Sequence, residues 1–182
     1  MQTIHDDGKN NEITIPSTMK ASVKIKGDND VIKIHEGSPS SGITINITGN
    51  NNTIEINRGH LMRDLKVVCG SYVPSHNTSL YINKAFSIEP NGRFNLYNSG
   101  NSIKIGSNCM FSSNVTIQCG ESPHLIFDLE TGEYLDISDG VLIGDHVWIG
   151  ENAYLTKRAC IADENIVAAC SVVTKKFTKK TV

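Results

Sequence analysis

From residue 143 to residue 174 the chain keeps a period of six: IGDHVW, IGENAY, LTKRAC, IADENI, VAACSV, VT. An aliphatic side chain opens every unit, at Ile143, Ile149, Leu155, Ile161, Val167 and Val173. A small residue follows each time: Gly144, Gly150, Thr156, Ala162, Ala168 and Thr174. The fifth position is compact too, with Val147, Ala153, Ala159, Asn165 and Ser171. Neither the roughly 3.6-residue helical period nor the two-residue period of a flat strand produces this spacing. A short fixed repeat marks a solenoid, whose units bury their apolar side chains only by stacking on one another.

Composition points the same way. Ile and Val number 22 and 12, against 9 Leu and 7 Ala, a balance that favours strands over helices. The 15 Gly and 18 Asn supply turns, because both tolerate positive φ. A helical bundle is excluded.

The repeat has a weaker upstream echo in Ile105–Met110, Phe111–Thr116 and Ile117. From Ile117 to Ile143 is 26 positions (143 − 117), which is not a multiple of six, so the solenoid is interrupted. An extruded loop is expected at about 118–141. Within it, Ile126–Leu129 and Tyr134–Ile137 read as strands around a Glu130–Glu133 turn. The first hundred residues alternate apolar and polar side chains around Asn, Gly and Asp, as in IKGDNDVIKI, ITINITGNNNTIEI and FSIEPNGRFNLY. They read as short strands with tight turns, either irregular early coils of the same solenoid or a small β cap. The Pro39-containing run EGSPSSG reads as a loop. The expected organisation is therefore 1–100 as β-rich coils or cap and 101–182 as the repeat-bearing body, in one continuous solenoid.

Seventeen Lys and Arg against 19 Asp and Glu give a net charge of −2. That near balance argues against gripping nucleic acid or an anionic membrane as the main task, while leaving local patches open. The five cysteines (69, 109, 119, 160 and 170) contain no C-x-x-C pair. They read as buried or free thiols of a reducing compartment. Met1 to Glu12 is polar, without the apolar stretch of a signal sequence, and no run nears the ~20 apolar residues of a membrane span. A soluble, cytoplasmic protein is expected.

The run Ile143–Val173, the GDHVWIG segment inside it, the His-bearing loop before it and SVVTK at its end together resemble left-handed parallel β-helix acyltransferases. Within that group the chain is most similar to sugar and polysaccharide O-acetyltransferases, including capsule-modifying ones. The match covers roughly 103–176. The resemblance implies three hexapeptides per triangular coil, so that every third unit stacks: Ile143 over Ile161, Ile149 over Val167, Leu155 over Val173. Sixth positions then face outward, and Trp148 stacks on Ile166 and Tyr154 on Val172. Outward apolar stripes imply subunit contacts or a ligand cleft, and the family implies homotrimers with active sites between subunits.

Acetyl transfer from a thioester to a hydroxyl needs a base for the hydroxyl proton and a donor for the developing oxyanion. Histidine suits the first task near neutrality. Of the six histidines (5, 35, 60, 76, 124 and 146), His124 stands where the solenoid breaks into the loop. In the resembling enzymes that is where the base is presented to the neighbouring subunit. Trp148, the only tryptophan, follows at a spacing (148 − 124 = 24) that matches the family's His-loop and Trp arrangement. Its indole N–H can donate to the thioester carbonyl or the acceptor while its ring packs on a sugar or the pantetheine; it serves equally as an interface anchor. Glu121 or Asp128 could orient the imidazole, and His146 reads as a surface or interface residue.

For acetyl-CoA, the expected co-substrate, the resemblance matches Ala169, Thr174 and Lys175, with Glu151 one coil below Ala169 acting through its backbone. No metal is expected. Two departures bear on coenzyme binding: Cys170 stands where many relatives have Gly, and the sequence stops at Thr181-Val182 where relatives continue into a Gly-x-Pro-Ala-Lys segment. Three other readings compete. An amino-sugar N-acetyltransferase shares the fold. A γ-type carbonic anhydrase would need three converging imidazoles, and only His124 and His146 lie in the repeat half. A non-catalytic scaffold would need neither the His loop nor the outward Trp.

Overall fold

The computed structural model describes residues 1–37, 41–121, 124–135, 138 and 140–180. Ser38, Pro39 and Ser40 of the expected EGSPSSG loop lie outside the described residues. The chain winds through three parallel sheets in turn. The first sheet runs through Gln2–Asp6, Ala21–Lys26, Ile43–Thr48, Leu65–Cys69, Arg93–Leu96, Thr116–Cys119, Tyr154–Thr156 and Val172–Val173. The second runs through Glu12–Thr14, Val31–Ile34, Thr53–Ile56, Ser79–Ile82, Ser102–Ile105, Val141–Ile143, Cys160–Ile161 and Lys176–Phe177. The third, shorter sheet begins at Leu61–Met62 and continues through Ser87–Ile88, Met110–Phe111, Trp148–Ile149 and Ile166–Val167. Apart from one isolated bridge in the loop, every strand pairing among the described residues is parallel. The all-β parallel β-helix with an extruded loop is what the chain builds.

The expected stacking holds. Ile143 lies on Ile161, Ile149 on Val167 and Leu155 on Val173. The last of these columns continues the whole length of the first sheet: Ile4, Val23, Ile45, Val67, Phe94, Ile117, Leu155, Val173. From Val23 to Val173 every member is buried. Inward side chains alternate with outward ones, as in the buried–exposed pattern of Ala21–Lys26, so each strand gives half its residues to one shared core. Cys69 and Cys119 belong to this core. Burial pushes their thiols up to about 12 and about 11, so they pack as small apolar groups.

Coil length varies by insertion at the corners. Tyr154 to its partner Val172 is a step of 172 − 154 = 18 in the sequence. Lys66 to Arg93 is a step of 93 − 66 = 27, and Thr116 to Tyr154 a step of 154 − 116 = 38. The Asn- and Gly-rich turns of the first hundred residues therefore do not close hairpins. They bend the chain from one sheet into the next.

The inserted loop leaves after Cys119 and returns at Val141. Its hairpin is smaller than expected. Phe127 and Tyr134 form one antiparallel bridge, flanked by Leu135 N–H to Ile126 O (2.9 Å) and Asp128 N–H to Glu133 O (2.8 Å). Among the described residues no third strand lies beside these two segments, and two short strands alone do not sustain a ladder. Asp136 and Ile137 lie outside the described residues.

Inside the corner between the first two sheets runs a polar ladder. Asp30 Oδ1 accepts from the backbone N–H (2.8 Å) and Nδ2 (3.0 Å) of Asn52, whose own Oδ1 accepts from Thr78 N–H and Oγ1. Asp30 is fully buried, and its Oδ2 has no partner among the described residues. Burial, reinforced by Asp28 and Asp6, holds this carboxyl above its ordinary value against the opposing Asn52 hydrogen bonds. A folded-state value above the unfolded one means that the native state binds the proton more tightly. The contribution of Asp30 is thus least unfavourable below the unfolded value and worsens as pH rises through the folded one. Asp30→Asn should accordingly gain stability over the unmodified chain as the pH is raised from acid toward neutrality. Urea midpoints across that range check this; a pH-independent difference would show that Asp30 does not titrate there.

Candidate functional site

Three sheets visited in rotation give the solenoid three faces and three corners. The loop bearing His124 leaves from the corner between the first and second sheets, while Trp148 lies on the third sheet, the face opposite that corner. One chain does not bring these two residues together. His124 is exposed on the loop.

Trp148 is 45% exposed and sits in register between Met110 and Ile166, themselves 50% and 45% exposed. The outward pairs expected from the repeat are present, and Met110 extends the stripe by one coil. The indole N–H donates to Ser112 Oγ at 3.2 Å, so within one chain it is held by the preceding coil. Around it lies a cleft of about 280 Å³ lined by Met110, His146, Trp148, Glu164, Ile166 and Lys180, among others. His146 turns the corner with φ 56°, and its backbone N–H donates to Ser107 O at 2.8 Å. Lys180 Nζ donates to Glu164 Oε2, which, with the nearby His146, holds that carboxyl below its ordinary value.

The carboxylates flanking His124 have other duties. Asp128 Oδ1 accepts from Glu130 N–H (3.0 Å), Thr131 N–H (2.8 Å) and Thr131 Oγ1 (3.0 Å), capping the expected turn. Those bonds keep its carboxyl below the ordinary range. Glu121 lies at the root of the loop, its N–H donating to Asn98 Oδ1 (2.7 Å) and its Oε1 3.8 Å from Lys157 Nζ. Burial first, then Glu121 and Tyr97, push the Tyr154 phenol above its ordinary value. This grouping of Glu121, Tyr154, Tyr97 and Lys157 is not visible in the sequence, because the four residues come from three different coils. The outward sixth position of Tyr154 was the one available signal.

The expected coenzyme residues occupy two corners. Glu151 and Ala169 lie where the third sheet turns into the first, and the Glu151 carbonyl accepts from Cys170 N–H at 2.8 Å. Thr174 and Lys175 lie at the far end of the strand Val172–Val173, five residues beyond Ala169, or at most roughly 17 Å of extended chain. All four are exposed, and Lys175 Nζ stands 5.6 Å from the centre of the Phe177 ring. The tail lysines do not form one cluster, since Lys180 is tied to Glu164 at another corner. Cys170 takes φ 59° in a column of corner residues Asn91, Asn114 and Asn152 with φ of 67°, 60° and 58°. The asparagines link side chain to side chain at 3.1 Å per step; Cys170 ends the column at a position suited to Gly or Asn.

The fold is shared with two solved enzymes. The polySia specific acetyltransferase NeuO superposes with a TM-score of 0.79 at 20% identity, covering 98% of this chain and 74% of NeuO. The polysialic acid O-acetyltransferase OatWY superposes with a TM-score of 0.72 at 25% identity, covering 99% of this chain and 82% of OatWY. No family model and no curated protein sequence matches the chain.

Proposed function

We propose that this chain is an acetyl-CoA-dependent O-acetyltransferase that modifies a hydroxyl of a sugar or surface polysaccharide, in a left-handed coil of the kind the sequence resembles. The observation that carries the reading is the near full-length likeness to two acetyltransferases of one acidic polysaccharide. The split placement of the candidate residues supports the rest. His124 projects from one corner, Trp148 lies in an apolar stripe on the opposite face, and a neighbouring copy is needed to close one onto the other. The working unit is then a homotrimer with the site between subunits, acting in the cytoplasm, where the five free thiols are at home.

In the reaction, the His124 imidazole takes the proton of the acceptor hydroxyl as its oxygen attacks the thioester carbonyl. The Trp148 N–H, released from Ser112, donates to the oxygen on which charge develops. Collapse expels the coenzyme thiolate, which takes up the proton. The coenzyme arm runs past the small residues Ala169 and Cys170, with Glu151 offering backbone, and reaches toward Thr174 and Lys175. Lys175 meets a phosphate after leaving the Phe177 ring.

Transfer of labelled acetyl from acetyl-CoA, measured against a panel of acidic polysaccharides, neutral polysaccharides and amino sugars, tests the reading. Turnover confined to amines would replace it with N-acetylation. Lys175→Ala is expected to raise the coenzyme KM and leave kcat at saturation largely intact, because phosphate contact is remote from the reacting carbon; a pure kcat defect would count against the placement. Sedimentation equilibrium is expected to give a trimer. A stable monomer at micromolar concentration would remove the shared site.

A further inference from the structure

The outer face of the first sheet differs in charge from that of the second. On its eight strands the outward side chains include His5, Lys24, Lys26, Lys66 and Arg93. The remainder are Thr, Ser, Asn, Gln, Val and Tyr, and no outward residue of these strands is Asp or Glu. Asp6, at the end of the first strand, is in register with the buried Ile25 and so belongs to the inward series. In a chain of net charge −2 this is a marked segregation. The second sheet sets opposite charges together, with Lys33 directly beside Glu55. The first sheet sets like charges together, with Lys66 directly beside Arg93.

Like charges on adjacent strands, about 4.8 Å apart, destabilise the free protein. Lys24, Lys26, Lys66 and Arg93 are exposed, and among the described residues none is in an ion pair. An external anion relieves the repulsion. The lateral row through Lys66 and Arg93 reads Ser22, Thr44, Lys66, Arg93, Thr116, Tyr154. Five inter-strand steps make it about 24 Å long. Tyr154, which Val172 follows on the last strand, stands beside Glu121 at the root of the His124 loop. The neighbouring row offers Asn46, Asn95 and Gln118, whose amides and the threonine hydroxyls suit sugar hydroxyls.

We propose that the outer face of the first sheet is a binding track for an extended polyanionic glycan, with Lys66 and Arg93 at its centre and Lys24 and His5 toward its far end. The track rests on the acetyl-transfer reading only for what happens at its loop end. A glycan fits better than a nucleic acid, because the face around Lys66 and Arg93 carries no aromatic ring on which a base could stack. A polymer laid on a flat ladder contacts several charges at once, so its affinity grows with length and falls with salt.

Fluorescence anisotropy of end-labelled polysialic acid, polygalacturonate, neutral dextran and single-stranded DNA of matched length tests this on the full chain. Both acidic glycans are expected to bind in a salt-sensitive manner, and dextran is not. The double variant Lys66→Gln, Arg93→Gln should lose roughly tenfold or more in glycan affinity, with a shallower salt dependence. Without ligand it should melt at or above the unmodified chain, since a like-charge pair has gone; a lower melt would contradict the repulsion on which the track is built. Unchanged glycan affinity in the variant, dextran binding equal to that of the acidic glycans, or tighter binding of DNA would each overturn the track. Binding is read without acetyl-CoA, so a failure of acetyl transfer alone leaves the track standing and counts against the chemistry.

Discussion

His124→Ala is expected to lower kcat by roughly 10²–10⁴, the range of general-base loss. Coenzyme binding should survive, because the imidazole contacts the acceptor hydroxyl and the coenzyme residues lie on other parts of the solenoid. The capped turn at Asp128 and the Glu121–Lys157 pair form without His124 among their partners, so the substitution should not unravel the loop. Trp148→Phe should give a smaller loss, keeping the apolar stripe with Met110 and Ile166 while removing the N–H. Steady-state kinetics on a true acceptor decide the matter. Near-normal turnover in His124→Ala would refute the mechanism and make His146, on the Trp148 cleft, the next residue to test.

Phe94→Ala should cost about 3–5 kcal/mol, the usual range for emptying a buried phenyl site. Phe94 is fully buried between Val67 and Ile117 in the column of the first sheet. Its ring meets Phe86 and Phe111 edge-on, with centroids 6.5 and 5.9 Å away, and those two rings are 5.1 Å apart. Removing it opens a void at mid-solenoid, where the coils on either side hold together only through stacked neighbours. For a chain of this length the loss corresponds to a melting point lower by roughly 6–20 °C. Differential scanning calorimetry checks it, and a shift within about 2 °C would mean that the aromatic cluster is not part of the core.

The period of six, taken with the three units per coil that the resemblance implies, was enough to give the stacking of the last coils. A strict repeat brings the same side chain back to the same wall with every third unit, so Ile143 on Ile161 and Trp148 beside Ile166 could be read directly. The interruption between Ile117 and Ile143 likewise had to be an extruded loop, since a stacked coil cannot absorb a remainder that breaks the repeat. The first hundred residues were less legible, and the reason is geometric. Their coils differ in length, as the stacked pairs show. Gln2 lies on Ala21 (21 − 2 = 19), Ser22 on Thr44 (44 − 22 = 22), Thr44 on Lys66 (66 − 44 = 22) and Lys66 on Arg93 (93 − 66 = 27). Without a constant period, only the folded chain reveals that Gly27 sits against Gly49, where an added Cβ would lie 1.7 Å from the carbonyl oxygen.

The site divides along the same line. His124 and Trp148 were legible as candidates because the resemblance attaches to local features, a His-bearing loop and one position of the repeat. Their placement on opposite parts of one chain was not. Nor was the gathering of Tyr97, Glu121, Tyr154 and Lys157, or the meeting of Lys66 with Arg93. Such contacts run across coils, and their partners depend on how many residues each corner inserts. Sequence periodicity determines which side chains point inward; the lengths of the turns, expressed only in the stacked structure, decide which outward side chains become neighbours.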